Sequence, residues 1–275
     1  MNLNASAQTS PEKLAVPTVH HQRKSSLWFG LVFLLVKKEL KVRYKGSVFG
    51  YMWSMLNPLL YMCVLAFVFS HVMRFKTENY TLFILTGILA WNIFFQGVVL
   101  GTSSIVNNSS LLKKVKVPAT IFPASAVGSC LVNFLLAMLP FLVISLYITK
   151  SVPLYVLLMP LVLLPYAIFV FGIGLTLGSL NVLFRDIAHM LEPVLNMVFY
   201  ATPIIYPPET IPERFRWLLN ANPIATYVKV IRSLMYERQI PDALSMGLVV
   251  LFALLSLGCG LFTYNKTKDK FIYRL

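Results

Sequence analysis

Six long runs of apolar residues divide the chain and constrain its fold more than any other feature. A run of about 20 apolar residues can cross a hydrocarbon layer roughly 30 Å thick as a helix. Because 57% of the 275 residues are hydrophobic and only 12% are charged, the runs cannot all be buried in one soluble core. We therefore predict an all-α integral membrane protein with six transmembrane helices. The predicted helices cover 51–73, 81–101, 121–148, 153–181, 187–206 and 243–264.

The positive charges lie mainly beside these apolar runs. The formal net charge of +14 would also suit a nucleic-acid-binding protein, but the Lys and Arg residues do not gather on one soluble segment. With the amino terminus in the cytoplasm, 16 of the 24 fall on the cytoplasmic side, as the positive-inside rule requires. The sequence thus predicts a multi-pass membrane protein, in contact with lipids and not with nucleic acid, with both termini in the cytoplasm.

The residues before the first run form two parts. Residues 1–26 are polar and lack the apolar core of a signal peptide, so we predict a disordered cytoplasmic tail. Residues 27–46 combine a short apolar stretch with lysines at helical spacing, which predicts an amphipathic helix in the membrane interface. This helix either faces a soluble partner or is a simple anchor to anionic lipids. Residues 47–275 then form the transmembrane domain.

Residues 207–241, between the fifth and sixth predicted helices, mix apolar triplets with charges and prolines. The pattern indicates two short amphipathic helices separated at Asn222 and Pro223. Broken backbone enters a membrane only where protein or water covers it. We interpret the segment as an external re-entrant helix pair that closes a pathway, with an ordinary surface loop as the alternative. The candidate gate residues are Tyr206, Trp217, Asn222 and Pro223.

Two predicted cytoplasmic turns carry charges. Lys113, Lys114 and Lys116 lie between the second and third predicted helices, where they either dock on a soluble subunit or only enforce the topology. Arg185 and Asp186 lie between the fourth and fifth. Adjacent residues do not face each other on a helix, so each is expected to pair elsewhere. This turn is the second candidate contact with a soluble subunit.

The composition disfavours enzymatic chemistry in this chain. The three cysteines lie in apolar runs without CxxC spacing, so we interpret them as small buried side chains and expect no metal site. The ten Asp and Glu residues are dispersed, whereas a membrane enzyme acting on glycans needs converging carboxylates or a metal cluster. A proton-coupled transporter needs ionisable groups inside its helices, and the centres of the predicted helices lack acids. A phosphate-cradling GxxxxGK[ST] loop is also absent from the sequence.

Three segments together carry a family resemblance. They are VRYKGSVFGYMWSMLNPLL at Val42–Leu60, LFRDIAHMLEPVLNMVFYATPIIYPPETIP at Leu183–Pro212 and NPIATYVKVIRSLM at Asn222–Met235. In this order they resemble the permease subunits of bacterial ABC exporters for O-antigen, capsule and teichoic-acid polymers. Thr202 departs from the pattern, because a serine commonly stands at that position in the family.

The resemblance implies a homodimer of six-helix subunits with two separate ATPase subunits. It implies export of a lipid-linked, O-antigen-like polysaccharide from the cytoplasm across the bacterial inner membrane. We therefore expect ATP and Mg²⁺ on the partner ATPase and no cofactor in this chain. The alternatives are an ABC permease for another cargo, such as teichoic acid, capsule, lipid or drug, and more remotely a membrane-embedded glycan enzyme.

Aromatic and amide residues are the candidates for the path of the polymer. An aromatic side chain covers the apolar face of a sugar ring and remains compatible with nearby water. The first two predicted helices carry such residues beside amides, although aromatic residues also pack helices and mark membrane boundaries. The candidate path residues are Trp53, Asn57, Tyr61, Trp91, Phe94 and Phe95.

A cluster of cations precedes the first predicted helix. The lipid carrier of the resembling family ends in a pyrophosphate, and an arginine holds a phosphate with two parallel hydrogen bonds. Lys41, Arg43 and Lys45 are therefore the candidates for capture of the head group. The alternative assigns Arg43 to an ATPase contact or to a pair with Glu39, one helical turn earlier.

Overall fold

The computed structural model describes residues 21–68, 78–115, 117–151 and 153–274, and every regular element in these ranges is helical. Residues 1–20 of the predicted tail, residues 69–73 of the first predicted span and Lys116 lie outside the described residues. The prediction of an all-α chain is confirmed. The α-helices are α1 (His21–Arg43), α2 (Trp53–Val68), α3 (Tyr80–Asn107), α4 (Ser109–Lys114), α5 (Ile121–Thr149), α6 (Met159–Leu183), α7 (Asp186–Tyr200), α8 (Arg216–Ala221), α9 (Pro223–Arg232), α10 (Ala243–Thr267) and α11 (Phe271–Arg274).

Four helical stretches among the described residues are long and apolar enough to cross a membrane. Helices α2 and α7 contain 16 and 15 residues. At 1.5 Å per residue they are about 22 to 24 Å long, less than a hydrocarbon layer of roughly 30 Å. Six crossings therefore stay a prediction. The four stretches are Tyr80–Asn107, Ile121–Thr149, Leu154–Leu183 and Ala243–Lys270.

Helix α3 lies at the centre of the molecule, and most of its residues are buried. Small residues let α3 and α6 approach closely. A Cβ atom placed on Gly101 would lie 3.1 Å from the Cα atom of Gly174, and one on Gly178 would lie 2.9 Å from the carbonyl oxygen of Gly101. Small residues at these positions thus let the two helix backbones pack closely.

Helices α3, α6 and α10 run in the same direction. Along α3 and α6 the close contacts advance together, from Gly97 beside Val170 to Gly101 beside Gly174. The contacts between α6 and α10 also advance together along both helices. The carbonyl oxygen of Phe169 accepts a hydrogen bond from Ser256, and further along Gly172 lies beside Gly260. The carboxyl ends of all three helices therefore lie on one side of the molecule.

A small apolar cluster marks this side. Ile105, Ile121, Val182 and Phe271 are buried in it, and Trp28 packs against them. The cluster joins the start of α1, the ends of α3 and α6, the start of α5 and the carboxyl-terminal helix α11. Both ends of the described chain therefore lie on the same side, as an even number of crossings requires.

Helix α1 lies lengthwise along the first half of α5. The indole Nε1 of Trp28 donates to Thr120 Oγ1 at 3.4 Å, and further along both helices Ser129 Oγ donates to Glu39 Oε2 at 3.0 Å. The helix begins at His21, six residues before its predicted start. The sequence predicts a helix in the plane of the membrane interface, whereas these contacts align α1 with a helix long enough to cross a membrane. The depth of α1 in a membrane stays a prediction.

The connecting segment, residues 201–242, contains the predicted pair of short helices. Helix α8 ends at Ala221, and α9 begins at Pro223. The side chain of Asn222 accepts a hydrogen bond from the backbone N–H of Ile224 at 3.0 Å and so caps α9. Helix α9 is largely buried against α3, α6 and α10. Its position at re-entrant depth in a membrane stays a prediction.

Candidate functional site

A cavity of about 980 Å³ opens between α2, α3, α5 and α7, beside the end of α1. The sequence predicted two separate roles for its residues, and the structure brings both groups of candidates to this one space. Phe94, Lys41 and Lys45 do not line it. The predicted residues that line it are Arg43, Trp53, Asn57, Tyr61, Trp91 and Phe95.

Arg43 gives the cavity its positive charge. Its Nη1 donates to Gln96 Oε1 at 3.1 Å, and no acidic side chain is among the described residues that line the cavity. The carboxylate of Glu39 instead accepts a hydrogen bond from Ser129, and burial raises the pKa of Glu39. A guanidinium on a cavity wall that carries no acidic side chain suits an anionic ligand, because hydrogen bonds between charged groups are the strong ones.

Three polar side chains fix the end of α1 at the cavity. The Tyr44 hydroxyl shares a hydrogen bond with Ser54 Oγ and also donates to Asn133 Oδ1 at 3.2 Å. Ser54 Oγ lies 3.0 Å from the same Asn133 oxygen. The group joins the residue after α1 to α2 and α5, so the position of Arg43 depends on three helices.

The cavity wall is rich in aromatic rings. The Trp91 ring centroid lies 5.3 Å from that of Phe199 and 6.2 Å from that of Phe95. Tyr61 on α2 also lines the cavity and is 52% exposed. Phe94 points away from the cavity and stacks on Phe169, with ring centroids 6.1 Å apart. The exposed rings and nearby amides suit a ligand that has both apolar faces and hydroxyl groups.

Several lining residues were missed by the sequence analysis. Ser54, Asn133, Asn196 and Tyr200 all face the cavity. The amides carried a usable signal, since a lone polar side chain in an apolar span tends to face protein or a water-filled space. Among the residues that the structure describes, no three His, Cys, Asp or Glu side chains are placed to hold a metal ion.

Comparison with known families decides the class of the protein. The profile described as ABC-2 type transporter matches residues 30–236, which include α2 to α9 and the whole cavity. The chain belongs to the ABC-2 type transporter family.

Proteins similar to this chain include named export permeases. The chain is similar to the O-antigen export system permease protein RfbA of Klebsiella pneumoniae, with 34% identity over 88% of this chain and 94% of the relative. It is 38% identical to the protein of the same name in Myxococcus xanthus, over 78% of this chain and 83% of the relative. The polysialic acid transport protein KpsM of Escherichia coli is 23% identical to the chain, over 86% of this chain and 92% of the relative.

The charged turns of this ABC-2 chain lie on one side. Lys113 and Lys114 are exposed at the end of α4, which follows α3. Arg185 and Asp186 are exposed between α6 and α7. Because α3 and α6 run in the same direction, both turns project from the side that also carries α11.

Two of the four predicted gate residues, Tyr206 and Asn222, form hydrogen bonds near the end of α7, and Pro223 begins α9. The Tyr206 hydroxyl donates to the carbonyl oxygen of Tyr200 at 2.9 Å, and Asn222 Nδ2 donates to Thr202 Oγ1 at 2.9 Å. Trp217 is 63% exposed on α8 and projects from the molecule. Tyr206 thus anchors the connecting segment to the helix that forms one wall of the cavity, and Asn222 joins the start of α9 to Thr202, two residues after that helix.

A salt bridge joins α9 to Asp242, the residue that caps the start of α10. Lys229 Nζ lies 2.9 Å from Asp242 Oδ1, and Asp242 Oδ2 accepts a hydrogen bond from the backbone N–H of Ser245 at 2.9 Å. The hydrogen bond from Lys229 is the main cause that lowers the pKa of Asp242 to about 2. A second cavity, of about 760 Å³, lies between α9 and the start of α10.

Proposed function

We propose that this chain is the transmembrane subunit of an ATP-driven exporter that moves a lipid-linked, O-antigen-like polysaccharide out of the bacterial cytoplasm. The observation that carries the proposal is the cavity where one arginine meets a wall of aromatic and amide side chains. Such a space suits a ligand with an anionic end and a sugar chain. The designation of the relatives as O-antigen export permeases supports this choice of cargo.

Arg43 takes the pyrophosphate of the carrier lipid in this mechanism. Its guanidinium exchanges the Gln96 oxygen for phosphate oxygens, which offer two stronger hydrogen bonds. Lys41 and Lys45 lie outside the cavity, on exposed positions near it, and attract the head group over a longer range. The Glu39 alternative is less well supported, since the Glu39 carboxylate binds Ser129.

The sugar chain then follows the aromatic wall. Trp53, Tyr61 and Phe95 offer ring faces to the sugars, and Asn57 offers an amide for their hydroxyl groups. Contacts of this kind are individually weak and repeat along a polymer. They therefore allow a glycan to slide without a single tight binding site.

The working assembly is a homodimer of six-helix subunits with two ATPase subunits. Helices α2 and α7, although short, complete the six crossings and border the cavity. The ATPases bind ATP and Mg²⁺ and dock on the side that carries Lys113, Lys114, Arg185 and Asp186. Docking there transmits nucleotide-driven movement through α7 to the cavity wall. Lys116 belongs to the same proposed contact by sequence.

The charged side faces the cytoplasm in this proposal, because most Lys and Arg residues belong to it. Both termini are then cytoplasmic, in the bacterial inner membrane. The connecting segment faces outward and closes the pathway between transport events. Tyr206 holds it at the end of α7, Asn222 and Pro223 fix the start of α9 beside Thr202, and Trp217 contacts membrane lipid or the second subunit.

A capsule-type cargo is the second candidate. The similarity to a polysialic acid transport protein favours it, although at lower identity than the O-antigen permeases. The two cargoes differ in their lipid end and in their sugars, so identification of the accumulated lipid-linked glycan distinguishes them.

The proposal is tested in the native host by depletion of the chain. We expect surface polysaccharide to fall and glycan attached to the carrier lipid to accumulate inside the cell, with recovery on re-expression of the unaltered chain. Unchanged surface polysaccharide and no internal accumulation after complete depletion would contradict the proposed cargo.

A further inference from the structure

Arg232 on α9 is a buried cation that neither the sequence analysis nor the proposed transport path uses. Its side chain is among the most enclosed charged groups of the described chain, with 4% of the residue exposed. Among the described residues it forms no ion pair within 4 Å. Instead, its guanidinium carbon lies 3.7 Å from the centroid of the Phe83 ring on α3. Glu237 and Glu209 act on this charge only from beyond ion-pair distance, so direct contacts with other groups must compensate its burial.

The compensation comes from two consecutive backbone carbonyl groups. Arg232 Nη1 donates to the oxygen of Pro203 at 3.1 Å, and Nη2 donates to that of Ile204 at 3.2 Å. These residues follow the end of α7 and lie outside any helix. A planar guanidinium is suited to this task, because it presents two N–H groups side by side whereas a lysine presents a single ammonium.

Helix α3 forms the third side of the contact. A Cβ atom placed on Gly87 would lie 3.0 Å from Arg232 Nη2 and 3.0 Å from the carbonyl oxygen of Ile204. Close by, the Tyr80 hydroxyl donates to the carbonyl oxygen of Ile205 at 2.6 Å. Because Gly87 has no side chain, α3, α9 and the residues after α7 can pack closely together at this point.

We propose that Arg232 is a positioning residue that keeps the outer end of the transport pathway closed. It ties α9 to residues 203–204, which follow the end of α7, and both to α3, so α9 moves with the residues that leave α7. This inference rests on the proposed function, in which the connecting segment is the external closure. In this role Arg232 acts on the backbone of Pro203 and Ile204 and on the Phe83 ring, and not on the cargo.

The test measures passive leak through the closed protein. The full chain is purified with its ATPase partner and reconstituted into phospholipid vesicles loaded with calcein, without ATP and without glycan. We expect Arg232→Met to raise dye efflux about 100-fold, because it removes two hydrogen bonds from a charged group and each contributes about one order of magnitude in the equilibrium. Arg232→Lys should leak less than Arg232→Met, since the charge over Phe83 remains.

Two glycine substitutions test the same contact without changing Arg232, one at the contact and one as its control. Gly87→Ala should also leak, because its methyl group displaces Arg232 or Ile204. Gly247→Ala on α10 should retain dye as the unaltered chain does, since nothing lies within 4 Å of a Cβ atom there. Size-exclusion chromatography and the thermal unfolding midpoint establish that each variant is folded.

Equal dye retention in folded Arg232→Met and in the unaltered protein overturns the inference. If Arg232→Met does not yield a single chromatographic peak, the glycine pair decides, and equal leak from Gly87→Ala and Gly247→Ala overturns it. Because the assay contains no polymer, a wrong assignment of the cargo leaves these outcomes unchanged. The failure of this inference is thus distinguishable from the failure of the proposed function.

Discussion

Removal of the Arg43 guanidinium should weaken binding of the lipid-linked substrate more than any other single change at the cavity. Arg43 is the one charged side chain among the described residues that line the cavity. In the structure its Nη1 donates to Gln96 Oε1 at 3.1 Å, so substrate binding exchanges this hydrogen bond for contacts with phosphate. Three substitutions separate the bond that is lost from the bonds that are gained. Arg43→Ala and Arg43→Lys change the contacts with phosphate, and Gln96→Leu removes the acceptor that phosphate replaces.

The size of the effect follows from the number of hydrogen bonds. Two bonds from a guanidinium to a phosphate contribute about 1.5 kcal/mol each at an accessible site, so Arg43→Ala should weaken binding about 100-fold. Arg43→Lys keeps the charge and one bond, and should weaken binding about tenfold. Gln96→Leu removes a competing acceptor worth about 1 kcal/mol and should strengthen binding about fivefold.

The assay measures the affinity of the purified complex in mild detergent for a synthetic polyprenyl pyrophosphate that carries a short glycan. Lys41→Ala is the matched control, because Lys41 is exposed and does not line the cavity. Its loss should change affinity by less than about fivefold, the range of a surface charge. Equal affinity of Arg43→Ala and the unaltered protein, or weaker binding by Gln96→Leu, would refute the reasoning.

Three further predictions concern packing, pH and the path. A Cβ atom on Gly172 would lie 2.4 Å from a backbone carbon of α10, so Gly172→Ala should lower stability by about 1–3 kcal/mol in thermal unfolding. Gly258→Ala should not lower stability, because nothing lies within 4 Å of a Cβ atom placed there. Lys229 lowers the pKa of Asp242 from its ordinary 3.8 to about 2, so the charged pair stabilises the fold above about pH 4 and is lost as the pH falls through about 2. Asp242→Asn should abolish this part of the acid dependence of the unfolding midpoint. Tyr61→Ala should reduce surface polysaccharide without loss of assembly, whereas Tyr61→Phe should not; intact export by Tyr61→Ala would remove Tyr61 from the path.

The helices could be predicted from the sequence because apolar runs and prolines are local signals. The run that contains α3 and the break at Asn222 are examples, since hydrophobicity defines the first and an asparagine cap followed by proline defines the second. Contacts between helices are not local. The alignment of α1 with α5 depends on pairs such as Glu39 and Ser129, which are 90 residues apart in the chain.

The candidate site was predicted only in part for the same reason. The pattern of charges selected Arg43, but its approach to Gln96 requires α1 to lie along α5 and was not visible in the sequence. Trp91 and Phe94 look equivalent in the sequence, yet only Trp91 reaches the cavity while Phe94 packs on Phe169. The direction of a side chain on a buried helix is set by its neighbours, which periodicity alone does not identify.

The central claim is that this ABC-2 chain works with a separate ATPase to export a lipid-linked glycan. Affinity purification of the tagged chain in mild detergent, followed by an ATPase assay, tests it most directly. We expect recovery of a stoichiometric partner with a GxxxxGK[ST] loop, and ATP hydrolysis whose rate changes when the lipid-linked glycan is added. Recovery of this chain alone in several mild detergents, without ATP hydrolysis, would contradict the account.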